Sequence, residues 1–149
     1  MIWGAVSYYG TVEVEGVKGT MDARGYCELL EKTLLPAAAD VLGENWTLMH
    51  DGASVHRANY TKNFLEEKNV KALDWPAKSP DLNVIENVWG QMARRVYAEG
   101  RNFESLSELG EAIGEAWDAI DLEYLPSLYK SIPRRLVSVI EKKGATTKY

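Results

Sequence analysis

A mixed α/β fold is predicted for this chain, on three observations. Near the start, Val12, Val14 and Val17 alternate with Glu13 and Glu15, the period of a half-buried strand. Farther on, short apolar runs alternate with helical patterns, as in sheets flanked by helices. Finally, one of those runs ends in Asp51, just ahead of a small-residue turn. Chemistry in α/β sheets gathers at such strand ends.

The elements follow in order. Ile2 to Tyr8 and the valine run read as a hairpin turning at Tyr9-Gly10. Asp22 is placed to cap a helix with Tyr26, Leu29, Leu30, Thr33 and Leu34 on one face, ended by Pro36. Ala37 to Leu42 adds a turn or two, closed by Gly43. Trp46 to His50 is a short strand delivering Asp51, and a helix follows from about Val55 to Lys68. Val70 to Leu73 is a further strand. Pro76 and Pro80 then bracket a stiff loop before a helix bearing Val84, Ile85, Val88, Trp89, Met92 and Val96, which Asn83 or Asp81 can cap. Past Gly100, Ser105 and Glu108 form a capping box for a helix with Leu109, Ile113, Ala116, Trp117 and Ile120. Ser131 and Pro133 start the last helix, which ends at Gly144.

Composition sets the outer bounds. The 149 residues carry 17 Lys and Arg against 22 Asp and Glu, with 46% hydrophobic and 26% charged residues. That mixture excludes a disordered or fibrous chain, and the length predicts one domain. The single Cys27 cannot form an internal disulfide, which fits a reducing intracellular compartment. No run approaches the roughly 18 apolar residues of a membrane span, and the N-terminus does not resemble a signal peptide. No membrane partner is expected. A pI near 5.1 gives no electrostatic ground for a nucleic-acid binder.

Two segments can carry chemistry. In His50-Asp51-Gly52-Ala53-Ser54-Val55-His56, a strand-end carboxylate is well placed for a hard cation. Asp before Gly is equally an ordinary turn and cap pairing. A zinc reading of His50 and His56 is weak, with one cysteine and no helix-face spacing. In the second segment, Glu86 is either a first-turn acid favoured by the helix dipole or a second carboxylate brought beside Asp51 by the proline-fixed loop. Spacing alone does not decide between these.

The residues themselves resemble a known family. Asp51 and Glu86, with 34 residues between them, sit with "WPAKSPDLNVIENVW", "HDGASVH", an opening "WGAVSYYG" and a closing "SIPRRLVSVIEKKGATTKY". Together these closely resemble the catalytic core of mariner-type cut-and-paste DNA transposases of the DDE/D superfamily, over essentially the whole chain. Gly52 stands where many members carry Asn, Val84 where Pro is usual, and Ile132 where Met is common.

The resemblance implies a ribonuclease-H-like mixed sheet flanked by helices. It also implies a DNA endonuclease and strand transferase acting in the nucleus, on transposon ends and target DNA, with Mg²⁺ or Mn²⁺ in a two-metal site. Asp51 and Glu86 are the implied catalytic residues and metal ligands, with His56 and Asn83 supporting them. Lys78, Arg94, Arg95, Arg134, Arg135 and the pair Lys142-Lys143 are candidate phosphate contacts, each also readable as solvated surface. The family's first catalytic Asp lies on a strand preceding "WGAVSYYG", with helix-turn-helix units before it. These 149 residues are therefore expected to be a partial catalytic domain lacking its central first strand, silent alone. Unpaired edges left by that strand favour strand exchange and homodimers, unless the hairpin closes directly onto the Asp51 strand. A non-catalytic DNA- or protein-binding module is the competing reading, and an unrelated nuclease using the same two acids a more distant one.

Overall fold

The computed structural model describes residues 1–76, 79–121, 123–145 and 147. Its helices and two small two-stranded sheets give the mixed α/β class expected. The chain gathers into two compact units, Met1–Gly4 with Glu15–Ser79, and Ala5–Val14 with Pro80–Tyr149. The hairpin of β1 (Ile2–Ser7) and β2 (Gly10–Gly16) contributes to both, its open end to the first unit and its turn to the second. Among the described residues, no helix is long and apolar enough to cross a membrane.

In the first unit, Asp22 caps α1 (Ala23–Leu29), its carboxylate accepting from the Gly25 amide at 2.8 Å. Pro36 does not end this helix as the sequence suggests. A π-helical segment, Leu30–Leu34, leads straight into α2 (Leu35–Leu42), and Leu35 donates to Leu30 five residues back. The Thr33 hydroxyl donates to the Leu29 carbonyl at 2.6 Å in the same stretch. The widened turn places Pro36 in the first turn of α2, where a missing N–H costs nothing. Gly43 then closes α2 with φ 71°, which glycine adopts without strain.

The second sheet pairs Thr47–Leu48 (β3) with Lys71–Ala72 (β4) in parallel, Thr47 opposite Lys71 and Leu48 opposite Ala72. Both strands are shorter than the apolar runs suggest, and among the described residues the hairpin does not pair with them. The helix expected over 55–68 is broken into α3 (Ser54–Arg57) and α4 (Asn59–Glu67) by Ala58, which is extended at φ −60°, ψ 143°. Asn69 ends α4 in the left-handed region at φ 55°, with Val70 donating to Leu65 and Asn69 to Glu66. This Schellman turn sends the chain into β4. The unit's core is Tyr26, Cys27, Leu30, Leu34, Ala38 and Leu65, with Thr61 among them.

The second unit packs α5 (Ile85–Val96), α6 (Leu106–Asp118) and α7 (Tyr124–Glu141). Val84, Val88, Met92 and Val96 meet Ala112, Ala116, Trp117, Leu125 and Leu128 in one core, with Val6 and Val14 of the hairpin against it. Such spacings are the apolar stripe of an amphipathic helix. The α7 boundary corrects the sequence reading. It starts at Tyr124, not Ser131, and Pro133 lies inside it. Burial of Leu125 and Leu128 holds a helix through a residue that costs about 3 kcal/mol in its interior.

Ser105 caps α6, accepting from Glu108 N–H at 3.1 Å, while Glu108 reaches back to the Glu104 N–H at 3.0 Å. Replacing Ser105 with Ala is expected to cost about 1 kcal/mol, read as a lower urea midpoint at unchanged slope.

Candidate active site

Asp51 follows β3 by three residues and stands 60% exposed at its side chain. Its Oδ1 accepts from the Ala53 amide at 2.9 Å and from His56 Nδ1 at 2.7 Å. His56 Nδ1 also lies 3.1 Å from the Asp51 carbonyl oxygen. A carboxylate and a carbonyl only accept, so Nδ1 carries the ring proton.

His56 packs against Tyr26 at 4.3 Å between ring centroids and stacks on His50 at 4.7 Å, the imidazoles 6° from parallel. The Tyr26 hydroxyl sits 3.0 Å from His50 Nδ1. Burial, with the neighbouring His56 adding to it and Asp51 opposing, pulls His50 down to about 4. Burial also pushes Tyr26 well above the ordinary phenol value, helped by Cys27 and Asp51. Tyr26 was legible only as one apolar position on α1, because its polar partner lies 24 residues away.

Glu86 occupies the first turn of α5 in the second unit and is exposed. Among the described residues, its carboxylate has no hydrogen-bond or ion-pair partner. A 3₁₀ turn, Pro80–Leu82, leads to it. Asn83 is 8% exposed and its Oδ1 accepts from Ile85 N–H at a long 3.4 Å. Val84 takes φ −64°, the angle a proline ring imposes.

Asp81 neither caps α5 nor faces solvent. It is 7% exposed, and its Oδ2 accepts from the Thr147 amide at 2.9 Å and hydroxyl at 2.8 Å. The Thr147 amide foremost, with further donors, outweighs burial and holds its carboxyl below the usual range.

Arg135 corrects a candidate DNA contact. It is 2% exposed and donates from Nη1 to the Asp81 carbonyl, from Nη2 to Asn87 Oδ1 and from Nε to Ser131 Oγ, at 2.9, 2.9 and 2.8 Å. Its charge is committed to the interior of the second unit. Arg94, Arg95, Arg134, Lys142 and Lys143 are exposed, and Lys78 lies outside the described residues. Among the described residues, no group of three or more His, Cys, Asp or Glu side chains gathers as a metal cage.

A family model described as DDE superfamily endonuclease matches residues 1–110. The chain belongs to that family. This DDE endonuclease chain is 34% identical over 149 residues to the Transposable element Tc3 transposase of Caenorhabditis elegans, covering 45% of it. To the Tcb1 transposase of Caenorhabditis briggsae it is also 34% identical, covering 54%. The chain thus spans about half the length of the curated relatives it matches. Among solved structures, the catalytic domain of Mos1 mariner transposase superposes with TM-score 0.86 at 22% identity, over 99% of this chain and 75% of that one. A Mos1 catalytic domain described with Raltegravir and Mg matches equally, at TM-score 0.86 and 22% identity, over 99% and 76%. The DDE endonuclease chain therefore has the ribonuclease-H-like α/β fold of that domain.

Proposed function

We propose that this chain is part of a cut-and-paste DNA transposase, working in the nucleus, and that Asp51 and Glu86 are two of its catalytic carboxylates and hold Mg²⁺ or Mn²⁺. The observation that carries the reading is the family match over residues 1–110, which takes in both acids. The donor set fits the ions. Asp51 keeps Oδ2 clear of the two donors on Oδ1, and exposed carboxylate oxygens are what Mg²⁺ and Mn²⁺ accept. When bound in a two-metal site, such ions activate an attacking oxygen and stabilise a leaving one at a phosphodiester.

The chain's own residues supply the rest. The Asx turn and His56 orient Asp51. Asn83 and the 3₁₀ turn fix the start of α5 and so the place of Glu86. Arg94, Arg95 and Arg134 offer sequence-independent phosphate contacts to transposon-end and target DNA, in an enzyme acting as a homodimer. Residues 1–149 hold two of the three acids that the resemblance implies.

The test compares residues 1–149 with a polypeptide in which the family's first acidic strand precedes Ile2, assayed for nicking of terminal-repeat DNA with Mn²⁺. The extended form is expected to nick, and Asp51→Asn or Glu86→Gln each to lower the rate by about a thousandfold, several kcal/mol of barrier. Both substitutions should leave thermal stability nearly unchanged, since exposed acids contribute little. Nicking by residues 1–149 alone, abolished by Glu86→Gln, would overturn the ligand count. Unchanged nicking in both variants of the extended form would overturn the assignment of the acids.

A further inference from the structure

We propose that Tyr26, His50 and His56 form a positioning stack that makes Asp51 a one-oxygen ligand, with Oδ1 held by the protein and Oδ2 the atom presented outward. The inference rests on the reading of Asp51 as a cation ligand oriented by His56 and adds two residues, Tyr26 and His50, and one atom to it.

An exposed aspartate on a turn is free to rotate unless its oxygens are held. Oδ1 here takes two donors, the Ala53 amide and His56 Nδ1. Among the described residues, Oδ2 has no partner. The amide bond is local to the turn and fixes little on its own. The second donor fixes the plane of the carboxylate, provided the imidazole itself stays put.

His56 lies on α3, a four-residue helix with no side-chain cap, so backbone structure holds it weakly. The rings around it supply what the helix lacks. His50 stacks on one side within 6° of parallel, and Tyr26 packs at 4.3 Å. Tyr26 is 1% exposed in the core beside Leu30 and Cys27, which anchors the assembly to α1. Its hydroxyl, 3.0 Å from His50 Nδ1, sets the orientation of the second imidazole. Contacts thus run without a gap from the buried face of α1 to the carboxylate. A carboxylate limited to one oxygen suits a small octahedral cation, which takes single oxygens and keeps its waters. Residues that orient a ligand through hydrogen bonds commonly tune metal affinity.

The experiment uses ¹⁵N-labelled residues 1–149, with Mn²⁺ as the probe and paramagnetic broadening of the Ala53 amide as the readout. His56→Ala is expected to raise the Mn²⁺ needed for half-broadening by about 10–100-fold. His56→Asn, whose amide can still donate to Oδ1, should recover part of that loss. Tyr26→Phe keeps the ring in the core and deletes the hydroxyl, and should cost severalfold in Mn²⁺ while the protein stays folded, with only a small drop in unfolding temperature. In the metal-free protein, the ring nitrogens of His56 should report the proton on Nδ1.

A His56 that carries its proton on Nε2 and none on Nδ1 overturns the stack. So does wild-type Mn²⁺ response in His56→Ala when Asp51→Asn has lost it. Should Asp51→Asn leave the broadening unchanged, the cation reading of Asp51 fails, and the tautomer still decides whether the stack holds the carboxylate.

Discussion

Arg135→Ala is expected to destabilise the protein by about 3–5 kcal/mol. The guanidinium is 2% exposed, and its loss strands the Asp81 carbonyl and Asn87 Oδ1, two acceptors that it serves at 2.9 Å. Each buried acceptor left without a donor costs roughly 1–3 kcal/mol, and the packing of the aliphatic stem is lost as well. Arg135→Lys should restore little, because one ammonium cannot reproduce a planar fork reaching three oxygens. Urea unfolding reads both variants, with a lower midpoint at an unchanged slope. A loss below about 1 kcal/mol in Arg135→Ala would show that the interior does not depend on this charge.

Asp81→Ala should cost about 2–3 kcal/mol at neutral pH, the range for hydrogen bonds to a charged group, and this cost should disappear in acid. The folded carboxyl titrates below its ordinary value because Thr147 donates to it. A carboxyl depressed in the folded state adds stability that is complete above its unfolded value, roughly pH 4. That stability is lost as pH falls through the lower folded value. The gap between wild type and Asp81→Ala should therefore be constant from pH 8 to about 5 and narrow below about 4. Thr147→Val removes only the hydroxyl donor and should cost about 1 kcal/mol. A gap that persists unchanged to pH 2 would sink the account of Asp81 as an acceptor held by Thr147.

These two residues also mark where the sequence stops being legible. Arg134 and Arg135 look alike in a string. In a helix, neighbours point about 100° apart, so one reaches solvent and the other the core. Asp81 sits where a helix cap is expected, but its partner lies 66 residues away, beyond any local pattern. Local chemistry was readable. Asp22 and Ser105 cap as their neighbours imply, and the Asp51 turn follows from small residues after a carboxylate. The prolines misled because context absorbed them, Pro36 through a π segment and Pro133 through core burial on α7. The break at Ala58 has neither Gly nor Pro to announce it. Family motifs made the ribonuclease-H-like fold visible at once and singled out Asp51 and Glu86 as candidates, whereas Tyr26 and His50 became polar partners only through tertiary contact.

The hydrogen bond from the Tyr129 hydroxyl to the Val6 carbonyl, at 3.2 Å, joins residues 123 positions apart. Its strand leaves the ribosome before its helix, which follows much later. At about 5–20 residues per second, those 123 residues take roughly 6–25 s to synthesise. Throughout that interval the turn of the hairpin, with Val6, Val14 and Tyr8, waits for the helix that covers it. The first unit draws most of its residues from one continuous stretch, Glu15–Ser79, and can settle in the meantime. The nascent chain thus carries an uncovered apolar hairpin for the whole of that interval, a natural client for a ribosome-associated chaperone.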